Sequence, residues 1–115
     1  MADQGKAAME SVLIAQVRNM AGLVAYQEGS VVSRTIIDRE SGTVTLFAFA
    51  RGQGLSEHTA PYNALIYILD GKAEVIISGE SSILNSGEAI ILPAGEPHAV
   101  KAPQDFKMLL VMIRG

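Results

Sequence analysis

The amino-acid sequence predicts a single all-β domain, built as a sandwich or a barrel. From residue 31 onward, short apolar segments alternate with turn residues, at the spacing typical of such folds. No long segment with helical periodicity interrupts them, which disfavours folds that alternate strands and helices. The chain has 115 residues, which suits one domain with a sizeable core.

Residues 1–30 are the least regular part of the chain, and we expect them to form a partly flexible N-terminal arm. Residues 1–10 are small and polar and are expected to fray. Residues 12–17 are rich in aliphatic side chains and fit either an edge strand or a helical turn, since periodicity cannot separate the two over so short a run. As an edge strand they would offer a surface for a homodimer. Asn19 is expected to cap one helical turn.

The barrel is predicted over residues 31–114. Asp70-Gly71 is the strongest hairpin dipeptide in the chain, and Pro61 should end a short extended piece because proline cannot donate to a β-ladder. Strands are expected at residues 31–37, 43–50, 57–60, 64–69, 73–77, 81–84, 89–92, 98–101 and 106–113.

Composition excludes several classes of function. The chain has no cysteine, so it can form neither a disulfide nor a thiolate metal site. Nine basic and twelve acidic residues give a net charge of −3 without a basic cluster, which argues against nucleic acid or an anionic membrane as partner. No apolar run approaches the ~20 residues of a membrane span, and no signal peptide is recognisable. We therefore expect a cytoplasmic protein.

The only two histidines, His58 and His98, lie in similar surroundings, each shortly after a glycine turn. Glycines allow left-handed turns or close backbone approach, and a proline fixes φ before a bend. The positions expected to shape the turns are Gly52, Gly71, Gly87, Pro93 and Gly95.

These spacings resemble the two motifs of the cupin superfamily. In the first motif, Gly52, His58 and Gly71 match, while the slots for a second histidine and a glutamate hold Ala60 and Ala64. In the second motif, Gly87, Pro93, Gly95 and His98 match, and the asparagine slot holds Ala102. The resemblance covers about residues 31–112 and implies a double-stranded β-helix, or jelly-roll, barrel.

Members of that superfamily use the histidines and the glutamate to hold Fe, Mn, Ni or Zn. The resemblance therefore implies that His58 and His98 both point into the barrel and share one ion or water. It implies a reduced metal site, with a divalent ion bound weakly or not at all, because two of the four ligand slots hold alanine. The alternative is that both histidines are relics or neutral groups of a pocket.

Other side chains are candidates for a ligand pocket. Tyr62 and Asn63 follow Pro61 and could contact a ligand, although a surface turn is an equal alternative. A second set lies on strand faces and either packs the core or lines an apolar pocket wall: Phe47, Phe49, Met108 and Met112. Glu57, beside His58, should face solvent because neighbours on a strand point to opposite faces.

Three functions remain open on the sequence. The first is a barrel that binds a small organic ligand through His58 and His98, with or without a weakly held metal. The second is a metal-dependent cupin enzyme of the isomerase or dioxygenase type. The third is an accessory or regulatory protein that acts through the surface of its homodimer.

Overall fold

The computed structural model describes residues 4–114, with side chains from Met9 onward. Residues 1–3 of the segment expected to fray lie outside the described residues. An α-helix, α1, spans Gln4–Leu13, and a short 3₁₀ helix spans Met20–Leu23. The strands are β1 Val31–Arg39, β2 Gly42–Phe49, β3 Gly54–His58, β4 Ala64–Ile77, β5 Glu80–Asn85, β6 Ala89–Leu92, β7 His98–Lys101 and β8 Phe106–Ile113.

The all-β jelly roll predicted from the sequence is confirmed. The strands form one curled antiparallel sheet in the order β1-β2-β8-β4-β7-β3, with β5 and β6 also paired to β4. The first half of β4 pairs with β6 and β8, and its second half pairs with β5 and β7. Because β4 belongs to both layers, it joins the two walls of the barrel.

The hairpin predicted at Asp70-Gly71 is wrong, because both residues lie inside the continuous strand β4. The register between β4 and β8 shifts between Ile68 and Asp70, and Gly71 has φ +79°. A bulge with a left-handed glycine bends a strand without reversing it. A side chain is also excluded at Gly71, because a Cβ there would lie 2.1 Å from the Asp105 carbonyl oxygen.

The bend at Gly71 gives the barrel two ends. The closed end lies at the bend, where Phe106 pairs with Gly71 and Phe49 pairs with Phe106. The open end lies where β4 starts and finishes, so that Ala64 and Ile77 are both there. Phe49 and Phe106 are fully buried at the closed end, and their rings stack at 4.5 Å with an interplanar angle of 8°.

The N-terminal arm packs on the outer face of the sheet rather than extending it. Met9 is 2% exposed and joins a second apolar cluster with Val24, Ile36 and Leu46. Residues 12 and 13 end α1, and residues 14–17 form no strand. The helical alternative is therefore the one that the structure shows, and the edge strand expected at residues 12–17 is not formed. The homodimer therefore remains a prediction, and the proposed edge strand no longer supports it.

Polar contacts also fasten the arm to the barrel. Asn19 caps the 3₁₀ helix as predicted, its side chain accepting the Gly22 amide. The Tyr26 hydroxyl donates to the Asp70 carboxylate at 2.5 Å, and partial burial together with that carboxylate raises the pKa of Tyr26. Lys107 donates to the Ala21 carbonyl at 2.6 Å. In the described part of the chain, no helix is long and apolar enough to cross a membrane.

Candidate two-histidine site

The two motif segments deliver His58 and His98 to one place at the open end. His58 is the last residue of β3 and His98 is the first residue of β7, and the two are direct partners in the register of these strands. Strand β3 therefore begins earlier than the segment predicted at residues 57–60, and His58 ends it rather than lying inside it.

Two hydrogen bonds tie the loops that follow β3 and β6. The Gly95 amide donates to the Ala60 carbonyl at 2.8 Å, and the Ala94 amide donates to the Asn63 side chain at 2.8 Å. Gly95 has φ +80°, a conformation that glycine adopts without strain. The turn after Pro93 thus fixes the start of β7, and with it the position of His98.

The imidazole rings face each other through equivalent nitrogens. Nε2 of His58 lies 3.2 Å from Nε2 of His98, with the ring planes 72° apart. Each Nδ1 lies against a backbone carbonyl, that of His58 at 2.8 Å from the Ser56 oxygen and that of His98 at 3.2 Å from the Glu96 oxygen.

When both imidazoles are neutral, they carry two N–H protons between them, whereas the three contacts that they make need three. A carbonyl oxygen only accepts, so each Nδ1 is best protonated, and a neutral imidazole then presents a bare lone pair at Nε2. Two bare Nε2 lone pairs face each other in that state. If one ring instead carries its proton on Nε2, its bare Nδ1 faces a carbonyl oxygen. A third proton shared by the two Nε2 atoms removes the conflict, and so does an ion bound to one side of the pair. Nδ1–H donation to a carbonyl is the usual outer contact of a metal-binding histidine.

The two imidazole rings differ in their burial. His98 is only 5% exposed, whereas His58 is exposed. Desolvation, reinforced by the neighbouring His58, lowers the pKa of His98, and the contact with the Glu96 carbonyl opposes this. His98 is therefore neutral at pH 7, with a nitrogen lone pair free to coordinate.

A small apolar cavity of about 40 Å³ lies beside the histidines. It can hold a few atoms, because one water needs about 10–15 Å³ on this measure. Its walls come from both layers of the barrel: Leu55, His58, Ala60, Ala64, Ile66, Leu92, His98, Val100, Met108, Leu110 and Met112.

The four side chains predicted as a pocket wall fall into two groups. Met108 and Met112 line the cavity. Phe47 and Phe49 are not among its lining residues: their rings stack on one another at 5.6 Å and they take the core-packing alternative. Alternation along β2 placed both rings on the inner face, but it could not show that they fill the closed end.

Tyr62 and Asn63 do not line the cavity either. The Asn63 side chain holds the Ala94 amide, so its role is in the loop and not in the pocket. Glu57 is exposed as expected. The turn positions Gly52, Gly71, Gly87 and Gly95 all have positive φ.

Sequence reasoning missed the aliphatic walls of the cavity, which are contributed by Leu55, Ile66, Leu92, Val100 and Leu110. Alternation in β4, β7 and β8 could have found Ile66, Val100 and Leu110, because each lies two residues from a position already assigned to the site. No such rule points to Leu55 or Leu92.

The residues present do not fit the four-ligand metal centre of the superfamily. Ala60 and Ala64 occupy two ligand slots and line the cavity with the histidines, and alanine has no donor atom. Among the described residues, no group of three or more His, Cys, Asp and Glu side chains could hold a metal ion. A two-imidazole site does fit, because an ion 2.0–2.1 Å from both Nε2 atoms would see them at roughly 100–105°.

The family model that matches the chain is described as "Cupin domain" and covers residues 45–114. The chain belongs to the cupin family. This confirms the resemblance drawn from the glycine, proline and histidine spacing. No curated protein matches the chain.

Solved structures with a similar fold agree with this assignment. A conserved protein of unknown function from Streptococcus pyogenes has 34% identity and a TM-score of 0.85, covering 89% of this chain and 90% of its own. A cupin superfamily protein from Desulfitobacterium hafniense has 26% identity and a TM-score of 0.84, covering 87% and 92%. A conserved barrel domain protein from Leptotrichia buccalis has 38% identity and a TM-score of 0.82, covering 84% of this chain and 47% of its own. The chain thus spans about half the length of the last protein.

Proposed function

We propose that this cupin is a small-ligand-binding barrel, and that its ligand is a divalent transition-metal ion held weakly by His58 and His98. The observation that carries the proposal is the convergence of two Nε2 atoms at 3.2 Å, each ring braced through Nδ1 by a backbone carbonyl. Two imidazoles at this separation act as a pair of nitrogen donors toward one ion.

The size of the cavity favours an ion over an organic molecule. Pockets for organic ligands usually measure about 300–1,000 Å³, whereas this cavity measures about 40 Å³. A metabolite could insert one small group at most, while an ion with one or two waters fits whole. A bound ion would polarise an oxygen-containing group placed beside it, and the aliphatic walls would keep bulk water away from that group.

Weak binding follows from the number of ligands. Divalent ions such as Zn and Ni usually take three or four protein donors, and the lining of this cavity offers them two imidazoles and no oxygen-bearing side chain. The remaining positions would fall to water, which adds no chelate stabilisation. We expect micromolar or weaker affinity for Zn and Ni at neutral pH.

The test is a calorimetric titration of the protein with Zn and with Ni at pH 7.5. His58→Ala should abolish the heat of binding, while Glu57→Ala, its exposed neighbour, should leave the isotherm unchanged. If His58→Ala binds Zn as the wild type does, the ion lies elsewhere and the proposal fails. His58 is exposed, so its removal should leave the fold intact.

A further inference from the structure

We propose that the ion for which this site is best suited is copper(I), and that the thioether of Met112 supplies the third donor beside His58 and His98. The inference rests on the proposed function, since it requires the histidine pair to bind a metal. It goes beyond that function in two ways: the site that holds divalent ions weakly is inferred to bind a soft monovalent ion more tightly, and a sulfur ligand is added to the two imidazoles.

The lining of the cavity contains two kinds of donor atom. Its described residues contribute imidazole nitrogens and thioether sulfurs, and every other side chain among them is aliphatic. No carboxylate, amide or hydroxyl side chain is among those lining residues. Thioethers select soft ions such as copper(I), whereas Mg, Ca and Mn prefer oxygen ligands. The donor set is therefore poor for hard divalent ions and suited to copper(I).

Strand register places Met112 at the same end of the barrel as the histidines. Met112 is the direct partner of Ala64, the slot at which the superfamily motif carries a glutamate. His98 is the direct partner of Ile77, which ends β4 at the open end. Met112 and the histidines thus lie in opposing walls, and side chains meet across the ~10 Å that separate packed sheets.

Met108 serves as an internal comparison. It lies on the same strand, lines the same cavity and pairs with Ile68, close to the bend. Four residues of β-strand separate Met108 from Met112 by about 13 Å along the chain. Only Met112 is level with the histidine pair, so we assign the ligand role to it alone.

The separation of the nitrogens also favours a third ligand. Two imidazoles binding an ion in a straight line would hold their nitrogens about 4 Å apart at metal–nitrogen distances of about 2.0 Å. The observed 3.2 Å bends the angle to roughly 100–105° at the same distances. A bent pair exposes one side of the ion, and the thioether can occupy that side.

The test titrates copper(I) under anaerobic, reducing conditions against a coloured copper(I) chelator of known affinity. We expect the wild type to take one equivalent of copper(I) and to bind it more tightly than Zn. Met112→Leu should weaken copper(I) binding at least tenfold, while the matched control Met108→Leu should stay within about threefold of the wild type. Leucine conserves volume and costs little stability, and urea unfolding of both variants checks this.

X-ray absorption at the copper edge gives an independent readout. The wild type and Met108→Leu should show one sulfur neighbour with nitrogen neighbours, and Met112→Leu should show nitrogen alone. Equal copper(I) affinity in the wild type and Met112→Leu, or no sulfur neighbour in the wild type, would overturn the inference. If Zn and Ni still bind through His58 in that case, the proposed function survives. If no metal binds through His58, both fail.

Discussion

The closed and open ends of the barrel are built from the same strands but contain side chains of different size and polarity. At the closed end, Phe49 and Phe106 stack in full burial. At the open end, Ala60 and Ala64 leave a cavity where two imidazoles meet. Strands β4 and β8 run from one end to the other, so backbone pairing does not distinguish the ends. The volume of the side chains distinguishes the two ends.

The difference teaches where stability and binding are located in this fold. Large aromatic side chains at the bend bury much apolar surface and fix the two layers against each other. Small side chains at the open end give up that burial and keep space for a ligand. Substitutions at the closed end should therefore act on the free energy of unfolding, and those at the open end on ligand affinity.

The largest effect should come from Phe106→Ala at the closed end. Removing a fully buried phenylalanine from a stacked pair should lower the free energy of unfolding by about 3–5 kcal/mol. His58→Ala at the open end should lower it by less than about 1 kcal/mol, because the residue is exposed. Urea unfolding of both variants makes the comparison. Similar losses would show that the open end is part of the stabilising core.

A second comparison uses two glycines with nearly equal φ. Gly71→Val should cost about 3 kcal/mol or more, because left-handed strain adds to a contact of 2.1 Å with the Asp105 carbonyl oxygen. Gly95→Val, with φ +80° and no atom within 4 Å of the added Cβ, should cost about 1–2 kcal/mol from strain alone. Chemical denaturation measures both losses. A loss below a few tenths at Gly95 would mean that its turn tolerates a side chain.

Sequence alone predicted the fold class well and three of its strands to the residue, at β6, β7 and β8. It failed at Gly71, because a glycine after an aspartate serves a hairpin and a strand bulge equally well. Only the pairing of both halves of β4 with other strands decides between them. It was wrong for residues 4–10, which were expected to fray and which lie in α1, although the i, i+4 spacing of Met9 and Leu13 is helical.

The candidate site was predictable in its two histidines and not in its surroundings. The motif spacing placed His58 and His98 together because the flanking glycine and proline turns fix where β3 ends and where β7 begins. The cavity walls depend on how two layers meet across the barrel, and that is a tertiary property. Phe49 and Met112 both lie on the inner face of their strands, yet Phe49 fills the closed end and Met112 lines the cavity.

At the open end, Ala60→His should raise Zn affinity. Ala60 lines the cavity beside both histidines, so an imidazole there would make three nitrogen donors, the number found in catalytic Zn sites. We expect at least tenfold tighter binding, or about 1.4 kcal/mol, by calorimetric titration at neutral pH. Ala102→His, at the unused asparagine slot outside the lining of this cavity, is the control. Unchanged affinity in Ala60→His would show that position 60 does not reach the ion.

The smallest expected effect is a loss of stability on acidification. Burial and the neighbouring His58 lower the pKa of His98 in the folded protein, so below the unfolded value of about 6.5 the unfolded chain binds more protons than the folded one. Stability is therefore complete above that pH and falls as the pH drops toward the folded pKa. Urea midpoints at pH 7.5 and 5.0 measure the loss.

His98→Gln should reduce this loss of stability, since glutamine does not titrate. His58 is a titratable group in contact with the ring. Glu96 contacts the ring through its backbone carbonyl, while its carboxylate accepts a hydrogen bond from Ser78, so Glu96→Gln serves as the control. An equal loss in wild type and His98→Gln would assign the pH dependence to carboxylates elsewhere and leave His98 free to take a proton without cost.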